Sequence, residues 1–395
     1  MRIVRRRIVF YVFLIASWGA VAAVTLFYAR NFTGLGPIPE RSAVARRMSG
    51  VDEGEFLRAR FFFASNRRPD QLDGGEDGQG TILGDTITYG LFEARLSHQL
   101  PVAQWAWEDP QHLRWAGYDR RDPTRFYEEL RESVARSSER SLLVLVWGWK
   151  DRFRSAAVKT AYTAFVLDID APVLLFDWPG NQGNTPAGYL ASREMARRSG
   201  PDLGRVLAEL IRQSGARNIW VLGSSLGCQT ICDAMTWMVT QTDLADDEPE
   251  LAHIVLAAPD VSQHEFDQRF ASELRAISRF TTVYVSSNDQ ALLLSELINR
   301  GPRLGRRPVA DAGGGSQVDE AIDLLDLKAA GCEQLSLIDA TPINRTRNLH
   351  HFFTDSAEFF DDLYRVLMQP GSTVARRLYP LRGDDGASCF ILWRD

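Results

Sequence analysis

In the stretch "IWVLGSSLGCQTICDAM", Ile219 to Met235, an apolar run ends in one Gly-x-Ser-x-Gly, Gly223-Ser224-Ser225-Leu226-Gly227. Five residues decide little alone, so the neighbours carry the reading. Ile219 to Leu222 is short and apolar, as a strand would be, and apolar residues at 231, 234, 235 and 238 then follow helical spacing. A strand, a tight turn and a helix in that order lift a serine to the top of the strand, and flanking glycines remove side chains that would strike neighbouring backbone. The helix N-terminus adds partial positive charge beside any oxyanion formed there. Ser225 is the expected nucleophile.

Working outward, the chain from Leu142 alternates between two patterns. The runs "LLVLV" (142–146), "PVLLF" (172–176), "IWVL" (219–222), "HIVLAA" (253–258), "TVYVSS" (282–287) and "LSLID" (335–339) read as strands. Between and after them, 155–167, 187–214 with a break at Gly200-Pro201, 226–240, 265–277, 291–299 and 355–368 read as helices. Strands that are continuously apolar and alternate with helices indicate a mostly parallel α/β sheet covered by helices on both faces. The stretch "GPRLGRRPVADAGGGSQ" (301–317) interrupts the rhythm and reads as a surface loop or a cover over a site.

A serine hydroxyl needs an imidazole to take its proton and a carboxylate to fix the imidazole tautomer. Of six histidines, His98 and His112 precede the alternating region, His253 opens a strand and His264 follows the next turn. The order serine, acid, histidine leaves "NLHHFF" (348–353) as the source of the base. Two strand-end carboxylates lie between: Asp260 in "AAPD" and Asp289 in "VSSND".

Composition bounds the rest. With 45% hydrophobic and 24% charged residues in 395, the chain has a globular balance and a sizeable core. The net charge of -6, with no basic stripe, gives no nucleic-acid footprint. Cys228, Cys232, Cys332 and Cys389 lack metal-site spacing, and the first two, one helical turn apart, read as buried free thiols. Asp361-Asp362 and the acidic run 243–250 read as solvated, Asn66 and Arg67 as capping or ion-pairing groups, and Trp105, Trp107 and Trp115 as packing for a segment ahead of the sheet.

At the N-terminus, Ile8 to Ala29 runs 22 residues without a charge behind "MRIVRRR". About 20 apolar residues span a bilayer as a helix. The expected organisation is therefore a membrane anchor over 1–30, a linker over 31–54 and one domain over 55–395. The Arg cluster keeps the N-terminus cytoplasmic and puts the domain on the far side, periplasmic or extracellular. The rival is a cleaved signal peptide, for which Ala20-Val21-Ala22 is the site.

Several blocks together resemble a bacterial α/β-hydrolase family long known only as a domain of unknown function. They are "FFFASNRRP" (61–69), "LVLVWGWKDRFRSAA" (143–157), "LLFDWPG" (174–180), "VLGSSLG" (221–227), "LAAPD" (256–260), "VYVSSNDQALLLSE" (283–296), "RLG" (303–305), "LIDAT" (337–341) and "HHFF" (350–353). The resemblance runs over about 60–368 and implies an α/β-hydrolase fold with Ser225 as nucleophile, Asp289 as acid and His350 as base. His351 falls where the family usually has a small residue. Trp147 stands where the family commonly has histidine, and Ser224 where histidine often precedes the nucleophile. The backbone N–H groups of Leu226 and Trp149 remain the expected oxyanion donors, since main-chain donors do not depend on the residue at 147. Trp147 accepts no hydrogen bond, so packing is expected to hold that loop.

The expectation is a membrane-anchored serine hydrolase acting on a small or lipid-like acyl substrate, with no metal or organic cofactor and no nucleic-acid partner. A non-catalytic binding or envelope protein on the same fold, and an acyltransferase or thioesterase, are the alternatives. Oligomeric state is open.

Overall fold

In the computed structural model the described residues are 46–68, 81–241, 249–307, 334–346, 349–368, 376, 378–382 and 388–392. The expected anchor (1–30), most of the acidic run 243–250, residues 308–317 of the Gly/Pro/Arg stretch, Cys332 and the side chain of Cys389 lie outside them. Among the described residues no helix is long and apolar enough to cross a membrane.

The strands are β1 Val51–Asp52, β2 Phe56–Arg67, β3 Leu83–Ser97, β4 Leu113–Arg121, β5 Ser141–Val146, β6 Val173–Asp177, β7 Asn218–Ser224, β8 Leu251–Ala257, β9 Ser278–Val285, β10 Leu335–Asp339, β11 Leu378–Arg382 and β12 Ser388–Leu392. They form one sheet in the order β11-β12-β10-β9-β8-β7-β5-β6-β2-β3-β4, with β1 paired to β2. From β12 to β2 every pairing is parallel; β11 and the β2-β3-β4 meander are antiparallel.

The apolar runs read as strands are strands because both faces of the sheet are buried. In β5, Leu143 and Leu145 enter one core while Leu142, Val144 and Val146 enter the other. Val255 and Ile254 of β8 divide in the same way, as the two-residue period of a strand requires. Helices α1 Pro123–Arg136, α3 Pro186–Gln213, α4 Leu226–Met238 and α5 Ala271–Ile277 cover one face. Helices α2 Phe153–Leu167 and α8 Ala357–Met368 cover the other. Two further helices, α6 Gln290–Asn299 and the short α7 Phe352–Asp355, follow β9 and precede α8.

Four expectations change. Helix α3 runs unbroken through Pro201, because residues 200 and 204 seat directly on Asp233, Ala234 and Trp237 of α4 and this packing outweighs the missing N–H. Trp115, placed ahead of the sheet, belongs to it, since it lies in β4 and stacks on Phe92 of β3 at 5.7 Å, while Trp105 and Trp107 lie in the connection from β3 to β4. Asp362 is buried, accepting from Tyr284 at 2.5 Å and from Arg376 at 2.8 and 2.9 Å. The described part of the Gly/Pro/Arg stretch is no surface loop: Arg303 is 2% exposed and bridges to Ser262. Cys228 and Cys232 are buried free thiols, as expected, and burial raises both pKa values well above the ordinary thiol range.

Candidate active site

At the C-terminal ends of β7, β8 and β9 the chain leaves the sheet at Ser225, Asp260 and Asp289. Neighbouring strands lie about 4.8 Å apart, so β7 and β9 are separated by roughly 10 Å. The loops are laced together: Ser225 N–H donates to Ala257 O at 3.0 Å, Asp260 N–H to Ser225 O at 3.1 Å, and Gly305 N–H to Pro259 O at 2.9 Å.

Ser225 sits at φ 52°, ψ −124°, a conformation that costs an L-residue about 1–3 kcal/mol. Glycines on both sides let the turn close. A Cβ on Gly227 would lie 2.3 Å from Val146 O, and one on Gly148 would lie 2.8 Å from Ser225 Cβ and 3.4 Å from Leu226 N. Ser225 is also the N-cap of α4, a position where serine usually spends its hydroxyl on a helix amide, yet its side chain makes no cap bond. Among the described residues that hydroxyl has no hydrogen-bond partner. Strain gathers here, because Lys150, Ala258 and Leu349 also have positive φ and adjoin the site.

Asp289 is fully buried and both its oxygens are engaged. Oδ1 caps α6 by accepting from Leu292 N–H at 2.8 Å, and Oδ2 lies 2.6 Å from His350 Nδ1. The loop before His350 is fixed by Asn344, whose amide donates to Ser286 Oγ at 2.8 Å, to Asn288 Oδ1 at 3.1 Å and to the Leu349 carbonyl. Nothing in sequence spacing had singled out Asn344. Burial pushes the His350 pKa down, but the charge and hydrogen bond of Asp289 outweigh it and leave the imidazole above its ordinary 6.5. With Nδ1 turned to the carboxylate, Nε2 has no partner among the described residues. No hydrogen bond joins it to Ser225; in hydrolases that contact is often long until substrate seats.

Asp260, the other strand-end carboxylate, touches no histidine among the described residues. Tyr189 donates to its Oδ2 at 2.8 Å, Ser295 to its Oδ1 at 2.6 Å, and Arg303 Nε lies 3.3 Å away. The other histidines are placed elsewhere. His253 is a core residue against Thr282 with its pKa lowered by burial to about 3, His98 and His112 lie by Asp52 and Asp109, and His264 is exposed.

The loop after β5 is bonded, not merely packed, which corrects the expectation drawn from Trp147. The Trp147 indole donates to Thr160 Oγ1 at 2.8 Å, the Trp178 indole donates to Trp147 O at 2.8 Å, and Lys150 N–H donates to Gly180 O at 3.1 Å. Behind it, Arg67 forms a buried pair with Asp177 at 2.7 Å and donates to the carbonyls of Asp151 and Trp178 at 2.9 and 2.5 Å. Sequence had read Arg67 as an ion-pairing group, and it is one. Among the described residues neither the Trp149 nor the Leu226 backbone N–H has an acceptor.

A mostly parallel sheet flanked by helices, with a serine on a strained strand-to-helix turn, defines the α/β-hydrolase class. The chain belongs to the family described as alpha/beta hydrolase of unknown function (DUF900), whose model matches residues 122–358. A solved structure to which it is similar is a lipase-esterase related protein from Clostridium acetobutylicum ATCC 824. The identity is 12% and the TM-score 0.23, over 41% of this chain and 82% of that one. No curated protein sequence matches it.

Proposed function

We propose that the protein is a membrane-anchored serine hydrolase that cleaves carboxylic esters through Ser225, His350 and Asp289. The observation that carries this reading is the 2.6 Å contact of His350 Nδ1 with a buried Asp289, which leaves Nε2 as the base. Ser225 Oγ attacks the acyl carbon while its proton passes to His350 Nε2. Asp289 holds the ring and stabilises the imidazolium. The backbone N–H groups of Leu226 and Trp149 receive the oxyanion. Collapse of the tetrahedral adduct breaks the ester C–O bond, and the imidazolium returns the proton to the departing alkoxide. Water, deprotonated by the same nitrogen, then attacks the acyl-enzyme; as the acyl C–O bond breaks, the imidazolium returns that proton to Ser225 Oγ and the acid leaves.

The uncharged run Ile8 to Ala29 behind the Arg cluster supports the anchor and a domain on the far side of the membrane. The test is covalent labelling by a fluorophosphonate. The folded protein is expected to label and Ser225→Ala is not; a folded protein that stays unlabelled and cleaves no aryl ester overturns the proposal.

A further inference from the structure

Next to Ser225 lies a polar seam between α3 and α6 that ester hydrolysis does not use. Tyr189 and Arg193 project from one face of α3, Ser295 and Asn299 from α6, and Asp260 and Arg303 from the loops after β8 and α6. Arg303 Nε donates to Ser295 Oγ at 3.0 Å, Asn299 Nδ2 to Tyr189 Oη at 2.9 Å, and Arg193 Nη1 to Asn299 Oδ1 at 2.5 Å. Trp149 packs edge-on against Tyr189, with ring centroids 5.4 Å apart.

Two imbalances mark the seam. The first is charge. Arg303 pairs with Asp260 at 3.3 Å, Arg306 holds Glu296, and Glu265, the carboxylate whose charge acts on Arg193, is bonded by Arg197 at 2.8 Å to each oxygen. Among the described residues Arg193 has no ion-pair partner. The second is hydrogen bonding. Arg303 Nη2, Arg193 Nε and Trp149 Nε1 are buried donors with no acceptor among the described residues, and no side-chain acceptor of the seam is left unpaired. Arg303 is 2% exposed, and a buried guanidinium nitrogen without an acceptor is costly. An unmatched positive charge and unmatched donors ask for one kind of partner, an anion bearing several acceptor oxygens.

We infer that the seam binds an oxyanion, a carboxylate or phosphate group, held by Arg303, Arg193 and the Trp149 indole beside the nucleophile. Burial, and then the positive charges of Arg303 and Arg197, lower the Arg193 pKa, a penalty that a bound anion relieves. Asp260, the carboxylate paired with Arg303, donates its N–H to the Ser225 carbonyl at 3.1 Å, so the seam adjoins the turn that carries the nucleophile. The occupant is a charged group of the substrate itself, which narrows the esters to those carrying a carboxylate or phosphate; this last step rests on the hydrolase reading, whereas the anion site does not.

The experiment measures thermal stability of the full chain with inorganic phosphate and with succinate. It then compares kcat/KM for 4-nitrophenyl butyrate with that for the mono-4-nitrophenyl ester of succinate. At saturating anion, Tm is expected to rise by about 2 °C or more. That rise should vanish in Arg193→Gln, a half-buried position chosen because Arg303→Gln endangers folding. The kcat/KM ratio of charged to neutral ester should fall roughly 10- to 100-fold in the same variant. A Tm rise with no ester preference supports the site with a free anion as occupant. No rise with any anion and no ester preference, or a rise undiminished in Arg193→Gln, overturns it. If neither ester is cleaved and Ser225 does not label, the hydrolase reading falls while the Tm arm still judges the anion site.

Discussion

Asp260 and Asp289 close the loops after two neighbouring parallel strands, both almost fully buried, and each was a credible acid for a triad. Their surroundings separate them. Asp289 meets an imidazole whose second nitrogen has no partner among the described residues, whereas Asp260 meets a guanidinium and two hydroxyls that consume both its oxygens. A carboxylate beside histidine orients a base; a carboxylate beside arginine neutralises a buried cation. Position at a strand end therefore defines where an acid can act, and the partner defines what it does.

The largest expected effect tests that division directly. Asp289→Asn leaves the geometry nearly intact but favours the wrong imidazole tautomer, so kcat should fall by about 10⁴-fold with little loss of stability. Asp260→Asn should do the reverse. Removing the charge beside buried Arg303 should cost about 3–5 kcal/mol of unfolding free energy, with a rate loss far below that of Asp289→Asn. Denaturant unfolding and aryl-ester kinetics on both variants check the pair; a greater rate loss in Asp260→Asn would reverse the two roles.

A smaller effect is the pH profile. In the proposed mechanism His350 must be neutral to accept the Ser225 proton, so kcat/KM should rise with pH through a limb set by a pKa above 6.5. In Asp289→Asn the attraction is lost and burial remains, so the residual activity should show its limb at lower pH. In Asp260→Asn the limb should move the same way but less, because Asp260 also raises that pKa from further off. An unmoved limb in Asp289→Asn would detach the acid from the base.

The difference between the two aspartates also marks how far sequence could reach. The run β5 to β10 was legible because burial on both faces makes each strand an unbroken apolar word. Ser225 was legible because its strand, turn and helix are contiguous. The antiparallel β2-β3-β4 edge was not read as sheet: β4, "LRWAGYDRR", is half exposed and carries charge, so its alternation is blurred. Helix α1 did carry a signal, Asp122 capping with Pro123 at the first position, that passed unread. Asp260 stayed ambiguous beside Asp289 because Tyr189, Ser295 and Arg303 come from three separate segments and share no spacing. Only tertiary contact assigns them.

The smallest expected effect concerns the loop that neither aspartate touches. Trp147 stands where the family resemblance leads one to expect a histidine, and its indole donates to Thr160 Oγ1, whose own hydroxyl donates to Ala156 O. Trp147→Phe keeps most of the buried ring and removes that one donor, so stability should fall by about 1 kcal/mol. The other ties of the loop, Trp178 to Trp147 O and Lys150 to Gly180 O, remain. The Trp149 amide should accordingly stay in place and kcat/KM should drop less than about tenfold, well short of the 100- to 1000-fold loss that follows removal of an oxyanion donor. A loss of that larger size, with stability changed as expected, would mean that the indole bond itself aims the Trp149 amide. Residue 147 would then rank with Asp289 as part of the catalytic geometry.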